Sequence, residues 1–157
     1  MKYVYTFILI FILNLSYASS IKCEFEEVYQ DGSIQSGHML FNNGLLRYEY
    51  NDKQLFTIIY NNDYFVIRND NNKVVNKLKN DEILNELKSI IKNYPEIKNT
   101  YSRDDIKIAI QDSQTIDFIK RVSIKSQKVN LSIYFINCNF ENIPKVFFQP
   151  FALKEIK

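Results

Sequence analysis

One histidine, a cluster of three glutamates and two distant cysteines are the residues of this chain that could do chemistry. His38 lies on an alternating, strand-like segment. A serine or cysteine nucleophile would have to sit beside it in a strained turn, and no Gly-x-Ser-x-Gly or comparable context is present. A lone histidine on a strand reads as a half-buried polar group. Glu24, Glu26 and Glu27, and the adjacent Asp104 and Asp105, could pair for acid–base work or hold calcium. On an alternating segment the plainer reading is the solvated face of a strand. One histidine and two widely separated cysteines give no zinc spacing, and neither a P-loop nor a dinucleotide-binding glycine pattern occurs. The expectation is a protein with no catalytic residues, no metal and no cofactor. The remaining enzymatic reading is a hydrolase that uses His38 or the Glu24, Glu26 and Glu27 group, and it requires those side chains to converge in a pocket.

The elements that must position these residues begin after a leader. Lys2 precedes an apolar stretch over 4–15, and Ser16 and Ala18 are small residues at the −3 and −1 positions of a cleavage site. That order is a secretory signal peptide, 1–18, and its apolar stretch is shorter than the ~20 residues a bilayer span needs. The mature chain, 19–157, is expected outside the cytoplasm as a single domain. The formal charge is +2 over 157 residues, about +1 once Lys2 is lost, and no polybasic face is evident. Nucleic acid is therefore not an expected partner. Lys22 beside Cys23 does not fit a lipid-attachment motif. In an oxidising compartment the even cysteine count reads as a Cys23–Cys138 disulfide, with two buried thiols as the alternative. Twelve Phe and eleven Tyr, with no Trp and three Gly, supply much bulky apolar material.

Short apolar runs alternate with turn clusters, the pattern of an antiparallel meander. Strands are predicted from Cys23 to Tyr29 and over 34–41, 45–50, 55–60, 64–68 and 73–78. Asp31-Gly32 and Asn42-Asn43-Gly44 are the hairpin signals between the first three. The period then changes: Ile83, Leu84, Leu87, Ile90, Ile91 and Tyr94 form one helical stripe. Asn80 is its N-cap, Asp81 and Glu82 its acidic first turn, and Pro95 its stop. Strands resume over 106–110, 116–124, 129–136 and 146–151. The sequon Asn130-Leu131-Ser132 falls inside one of them and reads as chance. The fold class is mainly β with one or two helices (α+β): about ten antiparallel strands and a helix laid on the sheet.

The stretch Ser36-Gly37-His38-Met39-Leu40-Phe41-Asn42-Asn43-Gly44-Leu45-Leu46-Arg47-Tyr48-Glu49-Tyr50 resembles the LolA-like outer-membrane lipoprotein carriers. Gly44 and Leu46 to Tyr50 fall in that family's register of a turn glycine followed by an aliphatic, Arg, Trp-or-Tyr, Glu, Tyr run. Residues 56–62 look like the next strand, 64–67 the aromatic strand after it, 81–94 the lid helix, and 146–150 the closing strand. The likeness spans 34–94 and thins beyond. Three features depart from it. The family's Arg-Pro before the turn glycine reads Asn42-Asn43, the Pro after Tyr50 is absent, and no helix precedes the first strand.

The resemblance implies a strongly curved, unclosed antiparallel barrel whose concave face is covered by the helix and takes acyl chains. It implies a periplasmic, monomeric carrier of lipidated proteins or lipid, with an inner-membrane release complex and an outer-membrane acceptor as partners. The expected cavity residues are Leu46, Tyr48, Tyr50, Ile59, Val66, Leu87 and Ile91. Arg47, on the opposite face from Leu46 and Tyr48, is expected to make a structural surface or edge contact. The alternative is a non-catalytic envelope interaction module, its core closed, that meets a protein partner.

Overall fold

The computed structural model describes residues 20–78, 82–103, 105–127 and 129–150. The expected signal peptide, the expected Asn80 cap and Asp81 lie outside these residues. Ten strands form one antiparallel sheet: β1 (Ser20–Tyr29), β2 (Ile34–Asn42), β3 (Leu45–Tyr50), β4 (Phe56–Asn61), β5 (Asp63–Arg68), β6 (Val74–Leu78), β7 (Thr100–Arg103), β8 (Ile106–Asp112), β9 (Ile119–Lys125) and β10 (Asn130–Phe140). One helix, α1 (Glu82–Asn93), joins β6 to β7. The sheet order is β6-β5-β4-β3-β2-β1-β10-β9-β8-β7, so the sheet is not closed.

The turns follow from their residues. Asn43 and Gly44 both have positive φ (49° and 86°), the geometry of a tight hairpin whose twist matches its strands. Each strand pair is a local hairpin except β1–β10, which joins the first and last strands in the middle of the sheet. There β10 carries a bulge. Lys22 pairs with Asn139 and Glu24 with Ile136, so Cys23 alone faces both Asn137 and Cys138. Asn137 takes the left-handed conformation (φ 50°), which Asn tolerates better than most residues. The extra residue shifts the alternation of Leu131, Ile133 and Phe135 by one, and Cys138 turns inward in place of Asn137. Cys23 and Cys138 form a disulfide there, with Cα atoms 4.1 Å apart.

Helix α1 bridges the two edges of the open sheet. On one side Asn85 accepts a hydrogen bond from Tyr64 of β5 (2.7 Å), and the Lys88 ammonium sits 3.4 Å from the centre of the Tyr60 ring. On the other, Glu86 accepts from Arg103 (2.8 Å) and Tyr101 (3.3 Å) of β7. Its stripe of Leu84, Leu87, Ile90 and Ile91 is buried, and Leu87, Ile90 and Ile91 join Phe25, Met39, Leu46, Tyr48, Ile108, Val122 and Phe135 in the inner core.

The other face of the sheet carries a second, smaller core of Leu40, Ile59, Ile67, Ile143 and Phe148. It exists because residues 146–150 of the expected last strand over 146–151 are not a strand, residue 151 lying outside the described residues. Residues Lys145–Phe148 form a short 3-10 helix that straps the outer face. Ser20 donates to the Glu141 carbonyl (2.7 Å), Asn42 to the Ile143 carbonyl (2.6 Å) and Arg47 to the Phe147 carbonyl (3.3 Å). The strap also corrects the expectation for Arg47. Its structural contact is present, but the residue is 4% exposed and salt-bridged to Glu49, so it is covered rather than at the surface.

Candidate ligand-binding hollow

The space between helix and sheet is not uniform along the strands. In the middle it is filled. The Phe25 and Tyr48 rings stack at 3.9 Å, and Tyr50 meets both edge-on at 5.5 and 5.6 Å. Gly37 permits this arrangement: a Cβ there would stand 2.5 Å from Phe25 Cζ and would also strike the Glu49 carbonyl.

Beside this stack lies the one buried carboxylate of β1. Glu27, 4% exposed, accepts hydrogen bonds from Tyr29 (2.5 Å), Tyr48 (2.8 Å) and Tyr50 (2.9 Å). Burial, reinforced by the Glu27 charge, pushes the Tyr29 phenol up to about 12 and holds Tyr48 and Tyr50 well above the ordinary tyrosine range. The three phenols stay protonated and keep donating. This cluster fixes the neighbouring strands to one another and offers no space.

At the other end of the same face a hollow of about 430 Å³ remains. Ile21 of β1, Phe41 of β2, Ile91 of α1, Phe118 before β9 and Phe140 of β10 supply its apolar wall. Tyr94 and Pro95 close it beyond the helix, where the connecting peptide bond is cis. Phe118 meets Tyr94 at 5.5 Å and Phe140 at 6.3 Å, both edge-on. Lys92 and Asp117 are exposed at the mouth, and Asp117 accepts a 3.4 Å hydrogen bond from Tyr94. The Tyr94 phenol is raised above its usual range by burial first, then by Asp112 and Asp117. An apolar hollow of this size with a few polar groups at its rim lies in the range that holds small hydrophobic ligands. A larger cleft of about 790 Å³ is of mixed character, with Gln111, Asp112, Ser113, Gln114 and Thr115 on one side and Ile116, Phe135 and Ile136 on the other.

The sequence-predicted cavity residues fall differently from expectation. Leu46 and Tyr48 (0% and 1% exposed) and Leu87 are packed into the filled centre, with Tyr50 half-buried against it. Val66 is half-buried and pairs with Ile58, in the same rung as Tyr48. Ile59 is on the wrong face: it pairs with Arg47 and belongs to the outer core with Phe148, because the register puts Ile58 and Tyr60 on the helix side. Of the seven, Ile91 borders the hollow. Ile21, Phe41, Tyr94, Phe118 and Phe140 were missed. Nothing local in the sequence marks them, because they come together from the ends of separate elements.

The residues weighed for chemistry separate as well. His38 is exposed on the outer face, paired across strands with Glu24 and Glu49, whereas Glu27 points inward. Among the described residues no group of three or more His, Cys, Asp or Glu is arranged to hold a metal ion. Among them, too, no helix is long and apolar enough to cross a membrane. No protein-family model matches the chain, and no curated protein matches it.

Proposed function

We propose that this protein is a LolA-like carrier that works in the periplasm and binds the hydrocarbon tail of a lipid or a lipidated protein in the hollow bounded by Ile21, Phe41, Ile91, Phe118 and Phe140. The supporting observation is the hollow itself: about 430 Å³, apolar along its wall, open at one end, with Lys92 and Asp117 at the rim where a polar head group would emerge. The disulfide suits an oxidising compartment. Each CH₂ moved from water into such a site contributes ~0.8 kcal/mol, so affinity needs no catalytic group. The filled centre restricts the reading: a tail enters from the end of the sheet and does not lie along the whole face under α1.

The test is to isolate the mature protein from the periplasm under native conditions and extract it for mass spectrometry. A stoichiometric acyl-bearing molecule is the expected result. Protein that carries none, and takes up none on incubation with lipid, overturns the proposal. The filled centre also favours a second reading. In it the molecule is a closed, non-catalytic interaction module and the hollow stays empty while a rim meets a protein partner of the envelope.

A further inference from the structure

The outer face of β7, β8 and β9 carries an arrangement that the sequence hides. Alternation sends Ile106, Ile108 and Ile110 inward and leaves Lys107, Ala109 and Gln111 outside. On β9 it buries Val122 and Ile124 and leaves Lys125 exposed. The register then sets Lys107 directly across from Lys125, although they are distant in sequence, with Ser102 on the other side of Lys107. The next rung is Thr100, Ala109 and Ser123. These residues line one shallow groove together with Tyr101 and Ile108: two lysines and three hydroxyl-bearing residues around the small Ala109, over a largely apolar floor.

Like charges directly opposite one another on neighbouring strands repel. Neither lysine makes an ion pair among the described residues, and Arg121 adds a third cation further along β9, over the Tyr134 ring. The acids nearest this face among the described residues are Asp105, exposed in the β7–β8 turn two residues before Lys107, and Glu26, beyond Tyr134 on β1, and neither forms an ion pair with Lys107 or Lys125. A bound anion would relieve the repulsion. The hydroxyls of Thr100 and Ser102, with Ser123 beside them hydrogen-bonded to Ser132 (2.9 Å), select an anion with several acceptor oxygens.

We propose that the Lys107–Lys125 groove is a binding site for a phosphate group, borne by an anionic phospholipid head group or by a free phosphate. The site is independent of the tail-binding hollow, which is lined by other residues.

The experiment is co-sedimentation of the mature protein at low salt with phosphatidylglycerol vesicles and with phosphatidylcholine vesicles, repeated with inorganic phosphate as competitor. Binding to the anionic vesicles is expected. In the double variant Lys107→Gln, Lys125→Gln it should weaken about 5-fold per lysine, so about 25-fold. A control variant Lys53→Gln, Lys145→Gln, with the same loss of charge at other exposed positions, should bind at close to the wild-type level. Both pairs are exposed, so a melting curve verifies that each variant folds. Displacement by inorganic phosphate assigns the groove to phosphate as such; its failure to displace assigns it to the lipid surface. Equal binding to both vesicle types, or an equal loss in the control variant, overturns the proposal.

Discussion

Along the inner face of this sheet, β1, β2 and β3 build two unlike ends from similar residues. At one end Phe25, Tyr48 and Tyr50 stack over Gly37, and three phenols converge on Glu27. At the other, Ile21, Phe41, Phe118 and Phe140 stand around space. The difference lies in what each ring has to lean on. The tyrosines are drawn together by a carboxylate that must be hydrogen-bonded because it is buried, and the stack closes over it. The phenylalanines have no such anchor. Phe118 and Phe140 meet edge-on at 6.3 Å across element ends and leave a gap. A polar cluster in this protein organises the packed end, and the end with a mainly apolar wall is the one that keeps a hollow.

Removing the ring at the centre of the packed end should break this contrast most strongly. Phe25→Ala should cost about 3–5 kcal/mol in chemical denaturation, because Phe25 is fully buried and stacked on Tyr48. The molecules that remain folded should keep the hollow. A loss below 1 kcal/mol would mean that the packed end does not carry the fold.

A smaller effect is expected from Glu27→Gln, roughly 1–3 kcal/mol, since three buried or half-buried hydroxyls lose their charged acceptor. The substitution also sharpens a pH dependence. A phenol whose pKa is higher in the folded state than in the unfolded chain favours folding while it is protonated. That stabilisation is full below pH 10 and is lost as pH rises toward the folded value, about 12 for Tyr29. Wild-type protein should therefore lose stability between pH 10 and about 12. Tyr101, raised to about 12 by burial and by Glu86, adds to the same window and is untouched by the substitution. In Glu27→Gln the phenolate absorbance should begin to rise at lower pH than in wild type. Burial, the larger cause of the shift, persists, so the change should be partial. An unchanged alkaline titration would remove Glu27 from the account.

Much of the fold was legible because its signals are local. Asp31-Gly32 and Asn43-Gly44 mark turns by the conformations they allow, and the helical stripe from Leu84 to Ile91 contrasts with the alternation around it. The Cys23–Cys138 pairing followed from an even cysteine count in a chain whose first residues read as a leader. Features decided by register or by packing over distance were not legible. In Thr57-Ile58-Ile59-Tyr60 apolar residues occupy both faces, and only pairing with β3 sends Ile59 outward. Val146-Phe147-Phe148 is apolar and aromatic enough to read as a strand, yet it coils over Leu40 and Ile59 and in doing so covers Arg47. Glu27 looked like one more solvated charge because its tyrosine partners on β3 are more than 20 residues away. The hollow has no sequence signature, since it is a place where side chains fail to meet.

The central claim is that this gap holds a hydrocarbon tail, and titration with a pyrene-labelled fatty acid tests it most directly when wild type is set beside Ile91→Trp. Ile91 is the helix residue in the apolar wall of the hollow, and the larger ring fills the space at a cost of about 1–3 kcal/mol in stability, which a melting curve would register. The account predicts saturable binding by wild type and its loss in folded Ile91→Trp. Failure of wild type to bind, or equal binding by the filled variant, would contradict it.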